Sequence, residues 1–395
     1  MTLPIVIAWV LGIMSLVVGL LNVAPRLGES TWQLQMALPE IPQYPILFGL
    51  LSAILGGITA QPVVVALGLI GAALSAWEVL LIPAVRRDHL AQMRQLTGDL
   101  YPNNIPSDVP TIPAQWSFDQ AVRGAWTKYD ITIENDVVFA ERPSRALKCD
   151  IYRPNRPPVR EDKYPAVLVF HPGAWTLGDK SWYFTPHDSY LASLGYVVFD
   201  CQYRFVQETG WPTQLDDARD AIRWVKANAA HYNIDPERIA VLGRSSGGHV
   251  ALSAAYRATG DHADTAVRAA IGIYPPLNLT IIAERPGPAI KALFGGDPSD
   301  VTAQANYEDG SPLFFVDKNS PPTLLIHGKR DGVVHYIHSE QTRWALKRAG
   351  VPVALLRLPW SHHTFDVSPI GIGAQMTQYH IDRFLAWSLY PDDKR

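Results

Sequence analysis

The sequence predicts an α/β fold with a mostly parallel sheet flanked by helices, preceded by N-terminal transmembrane helices. From about Tyr129 onward, short β-rich runs alternate with helical patterns, as they do when helices join parallel strands and cover both faces of a sheet. Residues 1–25 carry no charged side chain, and a second charge-free run extends from Ile41 to Trp77. Such long uncharged runs are typical of helices that cross a bilayer.

The composition indicates a folded chain without a nucleic-acid partner. Of its 395 residues, 48% are hydrophobic and 18% are charged, so a large buried core is expected. The formal net charge of -3 and the lack of a basic stripe argue against binding to nucleic acid. Cys149 and Cys201 are too few for a disulfide framework and match no CxxC spacing. They are predicted to be buried free thiols, with one disulfide as the alternative.

The first apolar run, Leu3 to Val23, is long enough to cross a bilayer as one helix. A cleaved signal peptide is the alternative, but it needs a basic N-terminal region, and the first charged residue is Arg26. The second run is too long for one span and predicts a hairpin that turns at Gln61-Pro62, because proline cannot continue a helix interior. Its arms are expected from about Pro45 to Ala60 and from Pro62 to Pro83. A re-entrant first arm, or core helices of a soluble protein, are the competing interpretations.

The chain is predicted to have three parts, a membrane anchor with three helices, a polar linker and an α/β domain, at residues 1–84, 85–128 and 129–395. Within the linker, RRDHLAQMRQL is expected to lie on the membrane surface as an amphipathic helix. With three spans, Arg26, Arg86 and Arg87 fall on one side of the membrane, which the positive-inside rule makes cytoplasmic. The chain is therefore expected to be an integral membrane protein with its α/β domain on the cytoplasmic side.

Six short apolar runs are the clearest strands of the α/β domain. They are Ala166 to Phe170, Tyr196 to Asp200, Arg238 to Gly243, Ala269 to Pro275, Thr323 to Gly328 and Val353 to Pro359. Between the second and third runs, apolar residues recur at helical spacing, at Leu215, Ala218, Ile222 and Val225. This alternation predicts parallel strands joined by helices.

The third of these strands leads into a tight turn that carries a serine. RIAVLG is followed by RSSGG and HVALSAAY, which reads as strand, turn and small-residue helix, with Gly243, Ser245 and Gly247 in a G-x-S-x-G pattern. Such a turn exposes the serine hydroxyl above the sheet at a helix N-terminus, where amides favour developing negative charge. Ser245 is therefore the predicted nucleophile, and the amide of Ser246 is expected to face an oxyanion. A merely structural serine turn is the alternative.

The loop after the strand that ends at Phe170 is expected to supply the other oxyanion donors. It reads HPGAW and lies where sites of this kind take their further donors. Pro172 has no N–H group, so Gly173 and Ala174 are the candidates. An ordinary strand-to-loop turn is the alternative.

A serine nucleophile needs a base to take its proton and an acid to orient that base, and both are expected after the serine in the chain. Asp331 lies just past the strand TLLIHG and His363 just past VALLRLP, at strand carboxyl ends, where open α/β sheets assemble their sites. From spacing alone His362 competes with His363. Glu340 and Asp366 are weaker candidates for the acid.

No metal or organic cofactor is expected. His335 and His338 stand at helical i, i+3 spacing, but no carboxylate or cysteine accompanies them at ligand spacing. A helix cap or a solvated surface is therefore favoured over a metal site. Trp175 and Trp211 are candidate substrate-pocket residues, with hydrophobic packing as the equal alternative.

Together these motifs resemble the α/β-hydrolase esterases with an HGGxW-type oxyanion loop. That group includes hormone-sensitive-lipase-like carboxylesterases, bacterial feruloyl-esterase-like proteins and kynurenine formamidases. The resemblance runs from about Val137 to Trp387. In the family's order it includes HPGAWTLGDK, WPTQLDDARDAIRWV, NIDPERIAVLGRSSGGH, PPTLLIHGKRD and HHTF. It implies an α/β-hydrolase fold for this part of the chain.

The resemblance also implies roles for individual residues. His363 is preferred over His362, because the family's base is usually followed by one small residue and then phenylalanine. Asp331 matches the acid of the HGxxD element. Two positions depart from the pattern. Pro172 replaces the first glycine of the oxyanion loop, and Arg244 stands where a smaller or acidic residue is common, so it is expected to alter the mouth of the site.

The expected activity is hydrolysis of carboxylic esters through an acyl-enzyme, with a small-molecule or lipid-like ester as substrate and the lipid bilayer as partner. The same triad serves amides, formamides and peptides, so these substrates stay open. A non-catalytic membrane scaffold is the alternative from another class. Acyl chain length and oligomeric state have no readable signal in the sequence.

Overall fold

N-terminal helices and an eight-stranded sheet dominate the structure, a computed structural model. It describes residues 2–24, 32–99, 101–103, 105–112, 115–117, 119, 121, 128–159, 163–282 and 287–390. Arg26, one of the three arginines used to predict the orientation, lies outside these residues.

Apolar helices pack into a bundle at the N terminus. They are α1 (Leu3–Val23), the short α2 (Trp32–Ala37), α3 (Gln43–Ile58) and α4 (Pro62–Ser75). A Cβ on Gly49 of α3 would lie 2.4 Å from the carbonyl oxygen of Gly68 of α4, and the reverse distance is the same. Small residues at helix contacts allow this close backbone approach, as is common among helices packed within a membrane. α1 has the predicted bounds.

The hairpin differs from its predicted bounds. α3 ends at Ile58, and Ala60 in the turn adopts a left-handed φ of 54°. The second arm breaks at Ala76 instead of ending at Pro83, which lies inside α5 (Trp77–Thr97). By length and composition, α1 and the continuous stretch of α4 and α5 are able to cross a membrane. A third span is counted among the described residues when the bent pair of α2 and α3 is taken as one.

The α/β domain is built on a sheet with the order β1-β2-β4-β3-β5-β6-β7-β8. The strands are β1 (Ile131–Glu141), β2 (Ala146–Pro154), β3 (Tyr164–Phe170), β4 (Val197–Cys201), β5 (Ile234–Arg244), β6 (Ala269–Ile273), β7 (Thr323–Gly328) and β8 (Val353–Leu358). Neighbouring strands from β4 to β8 are parallel, and β2 pairs antiparallel with both β1 and β4. The predicted mostly parallel sheet is confirmed.

Helices cover both faces of this sheet. They are α6 (Thr185–Leu194), α7 (Thr213–Ala227), α8 (Ser246–Tyr256), α9 (Leu279–Ile282), α10 (Pro288–Phe294), α11 (Val301–Asp309), α12 (Ile337–Arg348) and α13 (Ile372–Leu389). On β3, Leu168 and Phe170 face a core shared with α7 and α8, while Val167 and Val169 face a core shared with α5, α6 and α13. The predicted helical face is confirmed, because α7 buries Leu215, Ala218, Ile222 and Val225.

Residues 85–97, expected in the linker, are the second half of α5 and pack against the sheet. Val85, Met93 and Leu96 are buried in the core that α5 shares with the sheet. Arg357 of β8 pairs with Asp88 at 2.6 Å. The predicted membrane-surface helix is therefore wrong, because its apolar face covers the sheet instead of lipid.

The predicted free thiols are confirmed. Cys149 of β2 and Cys201 of β4 lie opposite each other in the antiparallel pair, and both are buried and free.

Candidate active site

The G-x-S-x-G turn joins the carboxyl end of β5 to α8. Ser245 has φ 51° and ψ −123°, a conformation that is strained for a residue with a Cβ. The turn is tight, because a Cβ on Gly243 would lie 2.2 Å from the carbonyl oxygen of Gly247. Glycine is therefore required at the first position of the motif, and Ser245 sits at the N-terminus of α8 with 8% of its surface exposed.

Ser245, His363 and Asp331 form one hydrogen-bonded chain. Ser245 Oγ lies 2.9 Å from Nε2 of His363, and Nδ1 of His363 lies 2.7 Å from Oδ2 of Asp331. The three residues follow β5, β8 and β7, so they meet at the carboxyl edge of the parallel strands. In such a chain the imidazole is able to take the hydroxyl proton, while the carboxylate orients the ring and stabilises its charged form.

Backbone amides and a second histidine fix Asp331. Its Oδ1 accepts hydrogen bonds from the amides of Val333 and Val334 at 2.8 and 2.9 Å, and its Oδ2 lies 3.3 Å from Nε2 of His327. Burial alone would raise the pKa of Asp331, but His363 and His327 hold it well below its usual range. The carboxylate is therefore ionised at neutral pH, as an orienting acid needs to be.

The competing candidates Glu340 and His362 are not part of this hydrogen-bonded chain. Glu340 accepts a hydrogen bond from the hydroxyl of Tyr336 at 2.5 Å. Nε2 of His362 is buried, and the ring makes no hydrogen bond with Ser245 or Asp331 in the described structure. Burial lowers the pKa of His362 to about 4. These contacts leave His363 as the imidazole within reach of the serine.

Arg244 points away from α8, onto the face of the sheet covered by α6 and α13. Its Nε lies 2.6 Å from Oδ2 of Asp366, and its guanidinium carbon lies 4.1 Å from the centre of the Phe184 ring. The hydroxyl of Tyr274 donates to the other oxygen of Asp366 at 2.5 Å, and its ring centre lies 4.6 Å from that of His363. Asp366 is thus part of a brace between β5, the end of β6 and the histidine loop. Arg244 also borders a cavity of about 120 Å³.

The loop after β3 packs against the start of α8. A Cβ on Gly247 would lie 2.1 Å from the carbonyl oxygen of Phe170. The hydroxyl of Tyr203 donates to the carbonyl oxygen of His171 at 2.9 Å and lies 3.1 Å from Oγ of Ser246. The loop is therefore held beside the nucleophile, as a second source of oxyanion donors requires.

Gly173 and Ala174 lie in this loop with φ values of 143° and 53°. A side chain is excluded at Gly173, because its Cβ would lie 1.7 Å from the carbonyl oxygen of Leu177. Among the hydrogen bonds of the described residues, none is donated by the amides of Gly173, Ala174 or Ser246. Their role as oxyanion donors stays a prediction.

Trp175 and Trp211 are buried around His249 of α8. Nε1 of Trp175 donates to Nδ1 of His249 at 3.1 Å, and the ring centre of Trp211 lies 5.1 Å from that of His249. Nε1 of Trp211 donates to Asp309 at 2.6 Å. Both rings support the helix that follows the nucleophile, and contact of either with substrate stays a prediction.

His335 and His338 accept hydrogen bonds from backbone amides. Nδ1 of His338 accepts from Asn278 at 3.1 Å, and Nδ1 of His335 accepts from Ile337 at 3.3 Å. In the described ranges, no group of three or more His, Cys, Asp or Glu side chains is suited to hold a metal ion.

Sequence and fold are both similar to those of known esterases. The BD-FAE family model matches residues 149–346. "Probable carboxylic ester hydrolase LipM" of Mycobacterium tuberculosis is 31% identical over 273 residues, which are 65% of this chain and 62% of that protein. "Esterase LipQ" of the same organism is 32% identical over 231 residues, or 55% of this chain and 54% of that protein. The chain therefore spans 54% to 62% of the length of these two curated relatives.

A solved structure of a thermophilic esterase from Thermogutta terrifontis, with propionate bound, has the same fold. Its TM-score is 0.53 at 25% identity, and the match covers 67% of this chain and 97% of that chain. The BD-FAE match covers 198 of the 395 residues of the chain and runs from β2 to α12, including Ser245 and Asp331. The chain therefore belongs to the BD-FAE family and is an α/β-hydrolase of the esterase type.

Proposed function

We propose that the protein is a serine hydrolase that cleaves carboxylic esters through a Ser-His-Asp triad. The observation that carries the proposal is the hydrogen-bonded chain from Ser245 through His363 to Asp331, with distances of 2.9 and 2.7 Å. Relatives named as ester hydrolases support esters as the substrates. The likeness to a solved esterase structure supports the same conclusion.

The reaction passes through an acyl-enzyme. Ser245 Oγ attacks the ester carbonyl carbon while Nε2 of His363 takes the hydroxyl proton, and Asp331 stabilises the resulting imidazolium. The tetrahedral intermediate collapses, the C–O bond to the alcohol breaks, and His363 gives its proton to the departing oxygen. Water then attacks the acyl carbon with His363 as base. The proton returns to Ser245 as the carboxylic acid leaves.

Backbone amides stabilise the negative charge on the carbonyl oxygen in both steps. The donors in the proposal are the N–H groups of Gly173, Ala174 and Ser246. Each well-placed donor of this kind lowers the barrier by roughly 3 kcal/mol in enzymes where one has been removed. Pro172 is harmless at its position, because the two residues that follow it still carry amide hydrogens.

The proposal includes an integral membrane location with the α/β domain on the cytoplasmic side. Its support is the apolar length of α1 and of the α4–α5 stretch, together with Arg86 and Arg87, which follow the bundle on the side of the α/β domain. Positive residues beside the ends of spanning helices favour the cytoplasmic face. The bilayer is then a partner of α1, α3 and α4.

The test is hydrolysis of p-nitrophenyl esters, from acetate to palmitate, by detergent-solubilised wild type and Ser245→Ala. The variant is expected to lose ester hydrolysis by at least about a thousandfold and to lose labelling by a fluorophosphonate probe. A folded wild type that is labelled but cleaves no ester would redirect the proposal to amides or formamides. A folded wild type without labelling or activity would favour a non-catalytic membrane scaffold.

A further inference from the structure

The loop that carries Asp331 is bonded to the end of the first apolar helix. The guanidinium of Arg330 donates to the carbonyl oxygen of Ala24 at 2.6 Å and also to that of Asn22. Arg330 directly precedes Asp331 in the chain. Asp331, the acid of the triad, is therefore one residue away from a direct contact with the carboxyl end of α1.

The loop that carries His363 is bonded to the bundle as well. Glu40, in the connector before α3, accepts a hydrogen bond from Oγ of Ser361 at 2.5 Å and another from the amide of Gly373 at 2.8 Å. Ser361 stands two residues before His363. Both contacts lie at the carboxyl edge of the sheet, so this edge faces the bundle.

The course of α5 shows which edge lies farthest from the bundle. Trp77–Thr97 starts where α4 ends and runs along β8, with Asp88 paired to Arg357 near the carboxyl end of that strand. Gln95 accepts a hydrogen bond from Lys347 at 2.7 Å, in the last turn of the helix that leads into the amino end of β8. At a rise of 1.5 Å per residue, Trp77 and Gln95 are roughly 27 Å apart along α5. The amino edge is therefore the distant one.

An apolar groove lies beside the contact with the acid loop. Its volume is about 340 Å³, and its lining is formed by the last turns of α1, at Val17, Leu20, Leu21, Val23 and Ala24. Ala24 is also the residue whose carbonyl oxygen binds the arginine next to the catalytic acid. The groove thus lies on a candidate membrane helix and includes the residue that contacts the loop of Asp331.

Large apolar side chains are exposed on the loops of the same edge. Leu177 and Tyr183 follow β3, Val333 follows β7 and Val367 follows β8, and Val333 is 52% exposed. Exposed apolar groups gathered at one place usually mark a surface that binds a partner or a membrane. They follow strands of the same edge that carries the triad, and this edge lies on the side of the bundle.

We propose that the active site opens toward the bilayer and takes esters held in the membrane by a long apolar chain. The apolar chain of the substrate lies in the groove at the end of α1, and its ester group reaches Ser245 from that side. This inference rests on the proposed ester hydrolysis and adds the substrate class. A chain that moves from lipid into the groove never enters water, so the cost of exposing its apolar surface is avoided.

The test compares two substrates with the full-length chain in phosphatidylcholine vesicles. One is p-nitrophenyl palmitate dissolved in the bilayer, and the other is p-nitrophenyl acetate in the surrounding water. Leu20→Trp fills the groove and is expected to lower the palmitate-to-acetate ratio of kcat/KM by at least about tenfold. Val10→Trp is the matched control, because Val10 is also exposed on α1 but lies outside the groove. Its ratio is expected to equal that of wild type.

The outcomes separate the inference from the proposed function. Hydrolysis of acetate with an unchanged ratio in Leu20→Trp would overturn the membrane route and leave the esterase proposal intact. An equal fall of the ratio in both variants would overturn the groove assignment. Absence of hydrolysis of both acetate and palmitate in the folded wild type would overturn both proposals.

A second measurement reads the orientation without using activity. A fluorophore is attached in turn to Val333→Cys, on the catalytic edge, and to Glu237→Cys, exposed near the amino end of β5. The native thiols, Cys149 and Cys201, are buried and leave the new cysteine as the accessible one. Spin-labelled lipid in the vesicles is expected to quench the fluorophore at position 333 more strongly than the one at 237. Equal quenching, or the reverse order, would contradict an active site that opens toward the bilayer.

Discussion

Each ring nitrogen of His363 has a partner of its own, Ser245 on one side and Asp331 on the other. The ring of Tyr274 packs beside it, with the ring centres 4.6 Å apart. His362 precedes it in the chain but has no such contacts within the described structure. Two adjacent histidines therefore differ in environment, which allows a matched pair of substitutions.

His363→Ala is expected to lower kcat for p-nitrophenyl acetate by about a thousandfold or more, because Ser245 loses the base that takes its proton. His362→Ala is expected to lower kcat by less than about tenfold, because His362 does not contact the serine. Steady-state kinetics of both variants in the same detergent provide the measurement. A larger loss in His362→Ala than in His363→Ala would reverse the assignment of the base.

Residues whose role follows from chain order could be predicted, and residues whose role follows from contacts could not. Ser245, Asp331 and His363 stand directly after strands, so the parallel sheet brings them to one edge. His327 and Tyr274 reach the site only through side-chain packing between neighbouring strands. Their positions at the ends of β7 and β6 were the available signal, but a strand-end position alone does not indicate a partner.

At the scale of elements, two buried histidines connect the loop after β3 and α8 to their neighbours. They are His171, in that loop, and His249, in α8, and both are neutral at pH 7. The ring of His171 stacks on Tyr203, with the ring centres 4.5 Å apart. His249 accepts from Trp175, and its Nε2 donates to the carbonyl oxygen of Gly310 at 2.7 Å. Burial lowers the pKa of both histidines from the ordinary value of 6.5 to about 4.

These histidines predict a loss of stability in mild acid. Between pH 6.5 and about 4 the unfolded chain binds protons that the folded protein excludes, so the free energy of unfolding falls as the pH is lowered through this window. His249→Gln is expected to be less stable than wild type at pH 7.5 but to lose less stability on acidification. Denaturant unfolding at pH 7.5, 6 and 5 provides the measurement. Parallel pH curves for the two proteins would contradict the role of His249.

The buried strands of the sheet were predictable because each is a short apolar run between turns. The edge pair was not, because β1 has no regular alternation of polar and apolar residues and its register shifts between Glu134 and Val137. Asp136, inside that shift, has a left-handed φ of 61°. The second half of α5 shows another limit. An amphipathic pattern gives the apolar face of a helix but not whether lipid or a sheet covers it.

In the whole molecule, the bundle and the α/β domain meet at the loops of the triad. Glu40 and Ser361 are 321 residues apart in the chain, and Arg330 is 306 residues from Ala24. No local pattern encodes a contact over such a distance, so the sequence predicted both parts without their arrangement. In this arrangement the bundle supports the loops that carry Asp331 and His363.

Glu40→Ala in the full chain is expected to lower the free energy of unfolding by about 2 kcal/mol, because buried donors at Ser361 and Gly373 each lose their acceptor. It is also expected to lower kcat for p-nitrophenyl acetate by about tenfold, since the loop that places His363 is loosened. Glu40→Gln keeps an acceptor oxygen in nearly the same shape and is expected to recover most of both losses. Denaturant unfolding and steady-state kinetics in detergent measure the two effects. Equal stability and equal kcat in all three proteins would mean that the bundle does not position the loop of His363.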